Sequence, residues 1–286
     1  MAVLDRRRQR IGPMTATFAF EGFDIPVDLA ILTGGGEDTW AGISAAHLAA
    51  YRRYCPLRVG HDVLEVGCGV GRDAIPLTGV LGPGGSYLGV DVSGPSIAWC
   101  QEHITGRHAN FTFAHLNIRS EFYNPQGGLS APEITIPAAT ASIDRIILQS
   151  VFTHMFERDI THFLREFHRV LRKDGRVFAS FFVLGTESVQ LSGARPDVLQ
   201  FVHPYGQGCR INDPGYPEAA VGYTPTALRR IVRRGGFSFD QPLHLGSWCG
   251  RHGVDDGQDI AILKPSRLPV FGRAPSAAEL RGAPTP

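Results

Sequence analysis

One stretch limits the fold more than any other: VLEVGCGVGRDAIPLT, Val63 to Thr78, in which a short apolar run ends in glycines at every second position and then becomes helical in pattern. Glycine tolerates backbone conformations that a Cβ forbids, so Gly67, Gly69 and Gly71 allow a sharp turn and a close approach to a ligand. The helix that follows would offer its free N–H groups to that ligand. A strand, a glycine turn and a helix in this order are the opening unit of a layered α/β fold.

The chain continues in that rhythm. Period-two and continuous apolar patterns predict strands over Val63–Val66, Tyr87–Val90, Phe111–His115, Asp144–Leu148, Arg176–Val183 and Gln258–Lys264. Between Asp144–Leu148 and Arg176–Val183, apolar residues at 160, 163, 164, 167, 170 and 171 predict an amphipathic helix, stopped by Asp174–Gly175. Upstream, Asp38–Tyr54 has helical spacing behind a TGGGED turn, with Trp40 and Tyr51 on its apolar face. Residues 186–222 lose all periodicity, as a lid or substrate insertion does. Thr224, Pro225 and Gly235–Gly236 then mark the cap, first turn and end of a further helix. Trp248 falls in a reversal before the final strand. The expected organisation is an N-terminal arm and cap helix over 1–60, a ligand-binding domain over 61–265 with its insertion at 186–222, and a flexible tail over 266–286.

Composition excludes several functions. With 286 residues, 43% hydrophobic and a net charge of +1, the chain reads as a globular protein without the charge surplus of a polyanion binder. The arginines at positions 6, 7, 8 and 10 read as a solvated arm. Five cysteines without a C-x-x-C pair give neither a disulfide framework nor a zinc knuckle. The longest apolar run, Val177–Leu184, is too short to span a bilayer, and no secretory leader is apparent. A cytoplasmic protein with no nucleic-acid or membrane partner is expected. No histidine or acid spacing suggests a metal, and oligomeric state is not readable.

The ligand of the turn is the central question. From Gly69, GVGRDA satisfies G-x-G-x-x-A, so a dinucleotide and an NAD-dependent oxidoreductase remain open. Glu65, two residues before the first glycine, argues otherwise: a carboxylate there suits an ammonium group better than a pyrophosphate. Asp91, ending YLGVD twenty residues after Gly71, stands where such folds place an acid on ribose hydroxyls.

Glu65 with Gly67, Gly69 and Gly71, followed by Asp91, resembles the first two motifs of class I S-adenosylmethionine (SAM)-dependent methyltransferases. The resemblance runs from about Asp62 to Lys264, through IDRIILQSVFTHM and FLREFHRVLRKDGRVFASFFV. It implies a doubly wound, mostly parallel seven-stranded sheet with an antiparallel last strand and helices on both faces. It further implies that the Gly67–Cys68–Gly69–Gly71 turn surrounds the methionine and ribose of SAM, that Asp91 binds the ribose diol with Val92 beside the adenine, and that Asn117 and Ile118 contact the adenine edge. Gln149 and Ser150 would flank the cofactor. The segment lacks the N-P-P-Y-like and Pro-Cys motifs of base methylation, and WCQEHIT, YNPQGG and SVFTHM together resemble a bacterial branch of free-standing methyltransferase domains, which implies a small metabolite or glycan as the acceptor.

For a hydroxyl acceptor a base must take the proton. His154 in SVFTHM is the first candidate, with Tyr123, Phe152, His203 and Tyr205 expected around the substrate. His162 and His168 read as helix surface, and Trp99 as core or as an adenine neighbour. N-methylation of a small molecule, or a methyltransferase-like binding protein without turnover, are the alternatives.

Overall fold

The computed structural model describes residues 16–121 and 123–266. The arginine cluster and the tail beyond Ser266 lie outside these residues.

The chain begins with a hairpin, β1 (Thr17–Phe20) and β2 (Phe23–Pro26), followed by α1 (Val27–Leu32) and the long α2 (Glu37–Tyr54). The hairpin and α1 are not apparent from sequence spacing. The layered part then alternates: β3 (Asp62–Val66), α3 (Ala74–Leu81), β4 (Ser86–Asp91), α4 (Gly94–Cys100), β5 (Phe111–His115), β6 (Ile143–Leu148), α5 (Glu157–Val170) and β7 (Leu171–Val183). After it come α6 (Thr186–Gly193), three short strands β8 (His203–Pro204), β9 (Cys209–Ile211) and β10 (Val221–Tyr223), then α7 (Pro225–Arg234), β11 (Phe237–Phe239) and β12 (Asp259–Pro265).

Strands β5, β4, β3, β6 and β7 lie side by side and parallel, β12 pairs antiparallel with β7, and β11 closes the edge on β12. Six of these strands are those read from the pattern, with the last one reversed, and β11 adds to them. Among the described residues the sheet has ten strands. Beyond the end of β6, the freed edge of β7 at Phe182 and Val183 pairs with β10, which carries β9 and β8. The 186–222 segment is therefore a helix and a small antiparallel extension rather than an irregular lid.

Strand parity divides the core into two faces. Val63, Ile147, Phe178, Ile260 and Ile262 pack under α2, α3 and α4. Leu64, Val66, Ile146, Leu148, Val177, Ala179, Ala261 and Leu263 pack under α5 and α7. Successive strand side chains point to opposite faces, so helices on both sides demand apolar residues at every position, as the continuous runs indicate.

Helix α5 ends earlier than Asp174–Gly175 implies. Leu171 is already extended, is buried at 4% exposure, and pairs with Ile143. The register then jumps between Ile143 and Arg145, so Asp174 and Gly175 sit in a bulge of β7 and not at a helix end. The α7 signals act as read: Thr224 Oγ1 accepts the Ala227 N–H, Pro225 opens the helix and Gly235 follows it.

Candidate functional site

All the loops at the carboxyl ends of β3, β4, β5 and β6 open into one cavity of about 1560 Å³. Small-molecule sites are typically ~300–1,000 Å³, so there is space for two ligands side by side. In open α/β sheets this end of the strands is where ligands bind.

The glycine turn forms one wall. Gly67, Gly69 and Gly71 have φ of +78°, +52° and +80°. A Cβ on Gly69 would strike the Thr33 side chain, and one on Gly67 would strike Val151 Cγ2. Thr33 is there for a reason: its hydroxyl accepts the Val70 N–H at 3.0 Å and donates to Leu29 O at 2.8 Å. The end of α1 thus braces the turn, a contact that local patterns in the sequence do not signal. Gly67 and Gly69 line the cavity, whereas Cys68 and Gly71 do not. Cys68 is 1% exposed and faces the core.

Asp91 locks the turn to the next loop. One carboxylate oxygen accepts the Gly69 N–H at 2.7 Å and the other accepts the Ser93 N–H at 2.7 Å. Burial pushes its pKa up, opposed by those backbone donors. Each oxygen retains a second lone pair, and Asp91, Val92, Ser93 and Ser96 line the cavity. The cap of α4 is Ser93, whose hydroxyl accepts the Ser96 N–H, so Asp91 is not the helix cap itself.

Glu65 differs from expectation. Strand parity puts it on the same face as Val63, under the α2 and α3 side, where it is 5% exposed and accepts the Tyr87 hydroxyl proton at 2.5 Å. Burial raises its pKa well above the ordinary value. It does not line the cavity, so its carboxylate is not presented to a ligand there. Arg72 and His47, which the sequence reading overlooked, line the cavity. Arg72 directly follows the turn; it donates to Thr33 O at 3.2 Å, lies 5.4 Å from the Trp40 ring, and its buried Nε stands 3.8 Å from Asp73 Oδ1, an ion pair beyond hydrogen-bond distance. His47 Nδ1 and the Tyr51 hydroxyl both bond Asp73 Oδ2, at 2.8 and 2.7 Å. The pKa of Asp73 is lowered: burial alone would raise it, but the neighbouring His47, Arg72 and Tyr51 prevail.

On the adenine side, Ile118 lines the cavity together with Leu116, but Asn117 is exposed and its side chain turns toward Asn124. Trp99 packs against Phe23 and His103 in the core. Beyond β6, Gln149, Ser150, Tyr123, Tyr205 and His154 line the cavity. Phe152 does not: it is fully buried between Phe167 and Phe181, as is Thr153 after it, and only His154 of the single 3-10 turn Phe152–His154 reaches the cavity. His203 lies exposed on β8, outside the cavity. His162 donates to or accepts from nothing in the cavity; its Nε2 bonds Ile134 O at 2.8 Å.

His154 Nδ1 lies 2.9 Å from Glu218 O, on the short turn Pro217–Ala219 of the insertion. A carbonyl oxygen can only accept, so Nδ1 carries the hydrogen and Nε2 holds the lone pair. Burial pushes the imidazole pKa down, which keeps the ring neutral. Tyr123 meets it edge-on at 6.0 Å. None of the five cysteines lines the cavity, and all five are buried free thiols. Among the described residues no group of His, Cys, Asp and Glu is arranged to hold a metal ion, and no helix is long and apolar enough to cross a membrane.

A glycine turn braced at positive φ, an acid joining it to the second strand, and a cavity across the strand ends define a nucleotide-type α/β ligand site of the methyltransferase kind. The family model for a methyltransferase domain matches residues 64–177, so this stretch of the chain is similar to a methyltransferase domain. It is 30% identical over 121 residues to an arsenite methyltransferase from Aquipseudomonas alcaligenes, covering 42% of this chain and 32% of that protein. It is 33% identical over 129 residues to the methyltransferase GfsG from Streptomyces halstedii, covering 44% and 40%. The chain thus spans well under half the length of these curated relatives. Its fold is similar to that of a SAM-dependent methyltransferase from Methanosarcina mazei, with a TM-score of 0.52 and 17% identity over 76% of this chain and 96% of that one. SAM is the cofactor of this class, and the residues present are compatible with it: Gly67, Gly69 and Asp91 line the cavity.

Proposed function

We propose that the protein methylates a hydroxyl group of a small polar metabolite or sugar. The observation that carries this reading is His154, a neutral imidazole with its lone pair on Nε2, in the same cavity as the glycine turn and Asp91. When bound, SAM supplies an electrophilic methyl group on a sulfonium. Asp91 would hold the ribose hydroxyls through its free lone pairs, and the N–H groups of the turn would face the methionine end. Arg72, which lines the cavity beside the turn, would hold the methionine carboxylate through its guanidinium. His154 would take the acceptor proton at Nε2, which a positioned base makes worth roughly 10²–10⁴-fold. Alignment of the two reactants in one site can contribute about 7–11 kcal/mol.

A second reading, transfer to nitrogen, has one observation in its favour. Asp159 and Glu218 line the cavity as partly buried carboxylates with no ion-pair partner among the described residues, and burial raises both pKa values. Such groups suit an amine. An arsenic acceptor is less well supported, since soft thiolate ligands would be needed and no cysteine reaches the cavity.

The test has two arms. Calorimetry should detect S-adenosylhomocysteine (SAH), with affinity at least tenfold weaker in Arg72→Met, while 5′-methylthioadenosine, which lacks the carboxylate, binds both proteins alike. Methyl-labelled SAM incubated with a small-molecule extract of the producing cells should yield a labelled product whose fragmentation gives an O-methyl group. No binding of SAM or SAH at millimolar concentration would remove the basis of the reading.

A further inference from the structure

Three side chains from neighbouring strand ends close a ring at the cavity wall. Ser150 follows β6, Ser180 is on β7, and Gln258 immediately precedes β12. The Ser150 N–H donates to Ser180 Oγ at 2.7 Å, the Ser180 hydroxyl donates to Gln258 Oε1 at 2.6 Å, and Gln258 Nε2 donates to Ser150 Oγ at 2.9 Å.

Each bond settles the next. Because Ser180 Oγ accepts from a backbone N–H, its proton is available to Oε1. As the amide stands, Oε1 accepts from Ser180 and the amide nitrogen faces Ser150. Ser150 Oγ then accepts, and its own proton is left over. Its other neighbour within the protein, Thr153 Oγ1, stands at 3.4 Å, the long limit for a hydroxyl pair.

Ser150 also has φ of +59°, a conformation that glycine adopts freely and other side chains hold against strain. The other two described non-glycine residues with positive φ, Glu21 and Ala141, lie outside the cavity, whereas Ser150 and Gln258 line it. The strand order puts Ser180 and Gln258 on the far side of β6 from β3 and its glycine turn, while Ser150 at the end of β6 stands between the two. The ring therefore extends from beside the glycine turn toward the acceptor side of the cavity.

We propose that this ring recognises an oxygen of the acceptor: the Ser150 hydroxyl donates to a lone pair of a neutral hydroxyl or carbonyl oxygen, with Gln258 and Ser180 as positioning residues. An ammonium group has no lone pair and cannot take that proton, whereas a hydroxyl or carbonyl oxygen can. This inference rests on the methyl-transfer reading above and deepens it.

Three measurements on Ser150→Gly and Gln258→Glu test it: melting temperature, SAH affinity, and label transfer from SAM to the cell extract. Ser150→Gly should melt at or above the wild-type temperature, because the strain is relieved, and bind SAH within twofold of wild type, yet transfer at least about tenfold less label. Gln258→Glu keeps the size but accepts where the amide donated. It should capture the Ser150 proton and lower transfer similarly, with folding and SAH affinity intact, an effect that a packing role would not produce. Wild-type transfer in either variant overturns the proposal, and so does loss of SAH affinity in Ser150→Gly, which would make the contact one with the cofactor. A wild-type protein that binds no SAH and transfers no label instead refutes the methyl-transfer reading beneath it.

Discussion

Replacing Asp91 by asparagine isolates the chemistry that joins the two halves of the cofactor wall. The carboxylate holds the Gly69 N–H with one oxygen and the Ser93 N–H with the other, each at 2.7 Å. A carboxamide has the same shape but only one acceptor oxygen, so one of those N–H groups would face an NH₂. An unsatisfied donor of this kind costs about 1–3 kcal/mol. In larger domains each kcal/mol lowers the melting temperature by about 2–4 °C, so the drop should fall between about 2 and 12 °C. Ligand binding should suffer as well, since the same oxygens supply the lone pairs offered to a ribose diol. Loss of about 1.4–2.8 kcal/mol there corresponds to ten- to a hundredfold in SAH affinity. Differential scanning calorimetry and isothermal titration with SAH read the two effects separately. An Asp91→Asn protein with wild-type melting and affinity within twofold of wild type would show that neither the turn nor the ligand depends on this acid.

Two further outcomes follow from the placement of residues beyond β6. Phe152→Ala should destabilise the protein by about 3–5 kcal/mol in urea unfolding, because the ring is fully buried against Phe167 and Phe181, and a small change would return it to the cavity wall. Acidification should weaken the fold through His154, whose pKa is held below the ordinary value by burial. Between the unfolded-state pKa of about 6.5 and the lower folded value the unfolded chain binds more protons. The stability present at pH 7 is therefore lost as the pH falls through that window. His61 and His244 shift the same way, so His154→Gln should reduce, not abolish, the slope of melting temperature between pH 7 and pH 5. Superimposable slopes for the two proteins would contradict the assignment.

What the sequence determined by itself is what local rules govern. Glycines at 67, 69 and 71, the acid ending the next strand, the amphipathic spacing of α5 and the cap at Thr224 are consequences of φ preferences, strand parity and helical period, and each is readable within a few residues. What only the tertiary structure decided is which side chains share the cavity. Glu65 and Val66 are neighbours in sequence, yet parity sends one beneath α2 and α3 and the other into the cavity wall. Phe152 and His154 part company within one 3-10 turn. The Thr33 brace crosses 37 positions to Val70, Gln258 reaches Ser150 across 108, and the Glu218 carbonyl that sets the His154 tautomer comes from 64 residues away. No periodicity encodes such pairs. They arise because the sheet brings its strand ends together, so the chemistry of the site depends on strand order, while the strands themselves depend on their own residues.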